Sequence, residues 1–303
     1  MQLVPRIPPL VTAAVEAAAG VALRPARVAV GRVARSALAG PPTGQPELAF
    51  ADAEDPGLFG PGSMTWRVHR DRSMVIGGLR ALLLQVMHPL AMAGVAQHSA
   101  YREDPLGRLA RTGRFVASTT YGTTPEAHRA IAKVRGIHGR VEGTAADGRS
   151  YSANDPALLA WVHNVEVDSF LAAFRRYGPE IRAAEADQYV AEMAGLGRRL
   201  GAIDVPETEA DLRDWIASVP GLAVSADARD AVRFLVLPNL PVRMLPTYGV
   251  VAAAAIDLLP GTTRRALGLV PLPLVDPLIV RPTAAALLGL LGWALGPAPL
   301  PRG

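Results

Sequence analysis

The chain has no cysteine and, at Lys133, a single lysine among its 303 residues. The first absence excludes disulfides, zinc–cysteine sites, iron–sulfur clusters, a thiolate-ligated haem and covalent C-x-x-C-H haem attachment. It leaves the redox compartment open. The second makes the basic charge an arginine charge. With 31 basic and 27 acidic residues the net charge is only +4. The arginines are scattered, without aromatic interleaving or a nucleic-acid module, so nucleic acid is not an expected partner. Aromatics make up only 5% of the chain, and Ala and Leu dominate the apolar set, which favours helix over strand.

Several catalytic signatures are missing too. There is no H-E-x-x-H and no E-x-x-H, which removes zincin and di-iron carboxylate chemistry. There is no P-loop, no G-x-G-x-x-G and no G-x-S-x-G. Long apolar runs are also scarce. "GVVAAAAIDLLP" is interrupted by Asp257 and Pro260, and "TAAALLGLLGWAL" at 283–295 falls short of the roughly 20 residues a spanning helix needs. The stretch "LVTAAVEAAAGVALRPARVAVGRVARSAL" carries Glu16 and no convincing cleavage site, so it reads as an amphipathic helix rather than a secretion signal. The expectation is a cytoplasmic protein, with room left for peripheral membrane contact.

What remains is helical. A long core helix is expected over 67–92, kinked or ended at Pro89, and a second over 106–120. A third has Thr124 as N-cap, Pro125 at the first helical position and Glu126 in the first turn, and stops at Gly139. Asp147-Gly148 marks a small β-hairpin. Asn154-Asp155-Pro156 caps a buried helix through "ALLAWVHNVEVDSFLAAFRRYG", and further helices are expected at 183–200, 207–218 and 225–236. No β-α alternation appears, so the fold class is all-α.

Six histidines are candidates for chemistry. His69, amid arginines, reads as solvated or interhelical; His128 reads as exposed, and His98 precedes a loop that could border a cavity. His88, on an apolar helix before Pro89, reads as a core histidine bonded to a carbonyl that the proline frees. His163, inside a core helix, needs a partner or a ligand. His138 differs. It lies in "VRGIHGRVEG", three residues after Arg135 and between Gly136 and Gly139, where missing side chains let something bulky approach the backbone. It is either an axial ligand to a flat cofactor or an ordinary exposed histidine at a glycine-terminated helix end. Arg108, Arg111 and Thr112 stand at i, i+3 and i+4, one helix stripe that is either solvated or lines a site. An apolar helical protein with such groups fits noncovalent haem b, with one proximal histidine and arginines for propionates or for an oxygen ligand.

The ordered set "QVMHPLAMAGVAQHS…DPLGRLARTGRF", "VRGIHGRVEG" and "YSANDPALLAWVHNVEVDSFL" resembles the latex-clearing-protein (rubber oxygenase) and MpaB-type oxygenase family over roughly residues 50–265. The resemblance implies a globin-like helical core with peripheral helices, holding haem b iron. It implies His138 as proximal ligand, Arg135 as an arginine of the same motif, His163 as a structural or supporting histidine, and Arg108 and Thr112 on the oxygen side. Arg111 stands where rubber oxygenases carry a lysine, and an arginine stays protonated and does not ligate iron. No glutamate matches the family's base; Glu103 and Asp104 sit in a turn outside the pattern. The expected partners are therefore dioxygen and an apolar molecule smaller than rubber, in a haem-dependent oxidoreductase. The rivals are a non-catalytic haem sensor or carrier and a cofactor-free helical binding protein. The chain divides into an N-terminal extension and linker at 1–48, the haem-binding domain at 49–265 and a Pro-rich extension with a short apolar helix at 266–303.

Overall fold

The computed structural model describes residues 50–295; the expected extension at 1–48 lies outside the described residues. The fold is all-α with one hairpin. The helix expected over 67–92 is three: α1 (Met64–His69), α2 (Met74–Gln85) and α3 (Pro89–His98). Asp71 accepts the Ser73 N–H at 2.8 Å and starts α2 afresh. Pro89 opens α3, where its missing N–H leaves no bond unmade, and α2 and α3 meet at 106°.

Next come α4 (Pro105–Tyr121), α5 (Thr124–His138), the strands β1 (Glu142–Thr144) and β2 (Ser150–Ser152), and α6 (Pro156–Tyr177). The cap of α5 is Thr123, one residue earlier than the sequence suggests. Thr124 is already helical because Asp55 caps it from a distance, accepting its N–H at 2.9 Å and its hydroxyl at 2.6 Å. The strands pair antiparallel, Glu142 opposite Ser152. Then follow α7 (Ala183–Leu200), α8 (Glu209–Ser218), α9 (Ala226–Val236), α10 (Leu245–Asp257), α11 (Gly261–Ala266), a π turn at Asp276–Val280 and α12 (Arg281–Leu295).

The central helix is α6, capped by Asp155 and buried along most of its length. It packs on α2, α7, α8, α3 and α1. A Cβ on Gly77 would lie 2.9 Å from the Ser169 carbonyl and the Phe170 ring, so glycine is what lets α2 lie this close to α6. One core cluster joins α2, α6, α10 and α12 through Leu83, Trp161, Val165, Ala254 and Leu288. A second joins α1, α6 and α7 through Met64, Phe170, Tyr189 and Met193. Each such large apolar side chain contributes about 1.5–3 kcal/mol. Arg80 crosses the first cluster: its Nη1 donates to Asp168 and to Ser169 Oγ, both at 2.7 Å, and its Nε to the Leu258 carbonyl at 2.9 Å.

The apolar stretch at 283–295 proves to be the end of a longer helical run, Asp276–Ala294, of 19 residues. The two charges within the run are neutralised by partners: Asp276 holds Arg264 at 2.7 Å, and Arg281 holds Asp257 at 2.8 Å.

Candidate functional site

Only Gly122 and Thr123 join α4 to α5, and the two helices pack as a hairpin. At the turn, Glu126 accepts from Ser118 Oγ at 3.3 Å and pairs with Arg114 at 3.8 Å. Arg108 lies fifteen residues before Thr123 and His138 fifteen after it. At about 1.5 Å per residue both stand equally far from the turn, at the hairpin's open end. The C-terminus of α3 and the β-hairpin border that end. Arg108 Nη1 donates to Ser99 Oγ at 2.6 Å, and His98 Nε2 lies 3.1 Å from the Glu142 carbonyl and 3.2 Å from the Tyr151 hydroxyl. Val141 N donates to the His138 carbonyl at 3.0 Å.

His138 is half-buried, and burial holds its imidazole below the ordinary histidine pKa, so the ring is neutral near pH 7. The imidazole makes no hydrogen bond, ion pair or ring contact among the described residues. Arg108 is half-buried too, and burial pulls its pKa down. Its side chain meets Ser99 Oγ and, at 6.0 Å, the Tyr101 ring; no described carboxylate pairs with it. The other two members of the stripe are exposed, Arg111 lying 3.1 Å from Asp104. Arg135, exposed, donates to the Arg199 carbonyl at 3.1 Å, on the last turn of α7.

His163 lies against that same turn. A Cβ on Gly197 would come within 2.8 Å of His163 Nε2, so only glycine admits the ring there. Nε2 is buried without a partner, and burial pushes the imidazole down to about 4. His88 does not bond the carbonyl expected of it. As the extended N-cap of α3 it turns its ring towards Trp161, 6.1 Å away, and leaves a buried Nδ1 without an acceptor. His69 is interhelical, 2.8 Å from Thr120 Oγ1 and 3.1 Å from the Tyr189 hydroxyl, and burial holds it down at about 3. His128 is exposed.

Nothing in the sequence pattern points to Ser99 as the partner of Arg108, nor to Glu166. One turn after His163, Glu166 is pushed up to about 7 by burial. Folding therefore favours its protonated form. That stabilisation is complete below the ordinary carboxyl pKa and is lost as pH rises through about 7. Glu166→Gln, which keeps the shape without the charge, is expected to gain on the order of 1–3 kcal/mol at pH 8 and almost nothing at about pH 4. Denaturant titrations at both pH values check this; equal gains at the two would show a carboxyl that titrates normally.

A noncovalent haem requires a neutral nitrogen donor, cationic groups for its propionates and space beside the helices. The open end of the hairpin fits that set. His138 would be the donor, and Arg108 is an arginine with no described carboxylate. Among the described residues no three His, Cys, Asp or Glu side chains are arranged to hold a metal ion.

Residues 66–290 match the model of a family described as ER-bound oxygenase mpaB/B′/rubber oxygenase, catalytic domain. An uncharacterised protein of Mycobacterium tuberculosis and one of Mycobacterium bovis are each 32% identical over 142 residues, 43% of this chain and 52% of the relative. The chain thus spans about half the length of these curated relatives. No solved structure matches.

Proposed function

The chain belongs to the mpaB and rubber-oxygenase catalytic-domain family, and on that premise we propose that it is a haem b-dependent oxygenase acting with dioxygen on a small apolar molecule. The observation that carries the haem assignment is an unpartnered neutral imidazole, His138, at the same end of one helical hairpin as Arg108. When bound, haem b supplies the iron at which dioxygen is activated.

The residues divide the remaining work. His138 offers a lone pair without first losing a proton. Arg135 ties the last turn of α5 to α7 and so fixes the height at which His138 stands. His163 fills the other side of that α7 turn through Gly197 and supports the cofactor side of the site. His88, with its buried Nδ1, is assigned a similar supporting role. Arg108 supplies a fixed cationic donor for a propionate or for developing negative charge, and Arg111 and Thr112 extend the donors outward along the helix.

An absorption spectrum is the first test. Protein produced with a haem supply is expected to show a Soret band at about 400–415 nm; protein that stays colourless and does not take up added haem overturns the proposal. The stripe has its own test. Thr112→Ala is expected to keep its haem but to alter the rate at which air reoxidises the reduced protein by about 5- to 150-fold, the effect of losing one hydrogen bond of about 1–3 kcal/mol. A threonine that only faces solvent would leave that rate unchanged and shift stability by no more than about 0.5 kcal/mol.

A further inference from the structure

We infer that the outer face of α12 and the arginine cleft at its C-terminal end dock together onto an anionic phospholipid surface. From Ala284 to Leu295 the helix reads AAALLGLLGWAL, with no polar side chain on any face. A water-soluble helix of that composition is expected to be buried all round. Here only one face is covered: Ala284 and Leu288 are buried, whereas Leu290 is 48% and Trp293 37% exposed. The uncovered surface continues through Leu274, Leu278 and Ile279, each more than half exposed, a contiguity that marks an interaction site.

The charge beside this face selects the partner. A cleft of about 610 Å³ is lined by Arg67, Arg70, Arg72 and Arg182 against only Asp71 and Glu185. Arg72 links the two features, its guanidinium 3.5 Å from the Gly292 carbonyl of α12. The two acids are already engaged. Glu185 holds Arg67 at 2.9 Å and Arg182 at 3.2 Å, and Asp71 accepts from Ser73 N at 2.8 Å. The Arg70 guanidinium finds no acceptor among the described residues, and its Nε is buried without one. Arginines at headgroup level, a tryptophan between and aliphatic side chains below make the profile of a helix lying in a bilayer interface. The helix lies on the surface rather than crossing it, because its inner face packs on α10 and both charges of the run are tied to protein partners.

The test is sedimentation of the purified full chain with vesicles of phosphatidylcholine alone or mixed with phosphatidylglycerol. Binding is expected to the mixed vesicles, weakened about five-fold by Arg70→Gln, the effect of one surface arginine. It should be abolished by the exposed-face pair Leu290→Asn and Trp293→Gln, with the helical signature unchanged. Brominated lipids should quench fluorescence in the unaltered protein and do so less in Trp293→Phe. Equal binding to neutral vesicles would overturn the headgroup assignment, and carbonate-resistant retention would overturn the surface orientation. No vesicle binding, with a dimer that Leu290→Asn dissociates, would give the face to a second copy of the chain and overturn the inference.

Discussion

His138→Ala is expected to purify without haem while keeping its helical content. The imidazole is the protein's one bond to iron in the proposed site, and changes merely around a metal ligand already cost about 10- to 100-fold in affinity. Removing the ligand itself is expected to cost more than about 100-fold. The fold should tolerate the change. His138 is the last residue of α5, half-buried, and its ring holds no hydrogen bond, so the stability change should stay within about 1 kcal/mol. Added imidazole should restore haem binding in the variant, because the space left is the size of the missing ring. Full haem occupancy with an unchanged spectrum would remove His138 as ligand and pass the role to His163 or His88, each of which keeps one buried ring nitrogen without a partner.

The hairpin that carries this site was legible because its signals are local. Pro105 and Pro125 sit in first turns, Gly139 caps the end, and a two-residue turn between helices of similar length already puts Arg108 level with His138. The break between α1 and α2 was not legible. Arg67, His69, Arg70, Asp71 and Arg72 read as a polar stretch within one long helix, but the Asp71 carboxylate accepts the Ser73 N–H and starts α2 afresh. The run from Asp276 was missed because only 283–295 is continuously apolar, and the partners that neutralise Asp276 and Arg281, which are Arg264 and Asp257, lie in other elements. Glu166 sits between Val165 and Val167 in a helix whose spacing shows that it is buried but not which polar residue the burial takes in. Its burial comes from α7, a helix that no spacing within α6 announces. Likewise Gly197 means nothing in the sequence until His163 is seen against it.

Arg80→Ala is expected to lower stability by about 3–5 kcal/mol, the cost of breaking a buried ion pair from one side. The guanidinium is 6% exposed and the Asp168 carboxylate 17%, so little water can replace the lost charge. The substitution also leaves the Leu258 carbonyl and Ser169 Oγ without their shared donor, loosening α2, α6 and α10 from one another. At about 2–4 °C per kcal/mol for a chain of this size, the thermal midpoint should fall by roughly 6–20 °C. A loss below about 1 kcal/mol in denaturant titration would show that the pair is well solvated and merely adjacent. The double variant Arg80→Met with Asp168→Leu should recover much of the loss, because an apolar pair leaves no charge buried alone. The same variants separate structure from site. Arg80→Ala should lose haem only in proportion to the protein that has unfolded and regain it when stabilised at low temperature. His138→Ala should fail to bind haem even when fully folded. Similar haem loss in two variants of such different stability would mean that haem binding reports the integrity of α6 and not the imidazole at the end of α5.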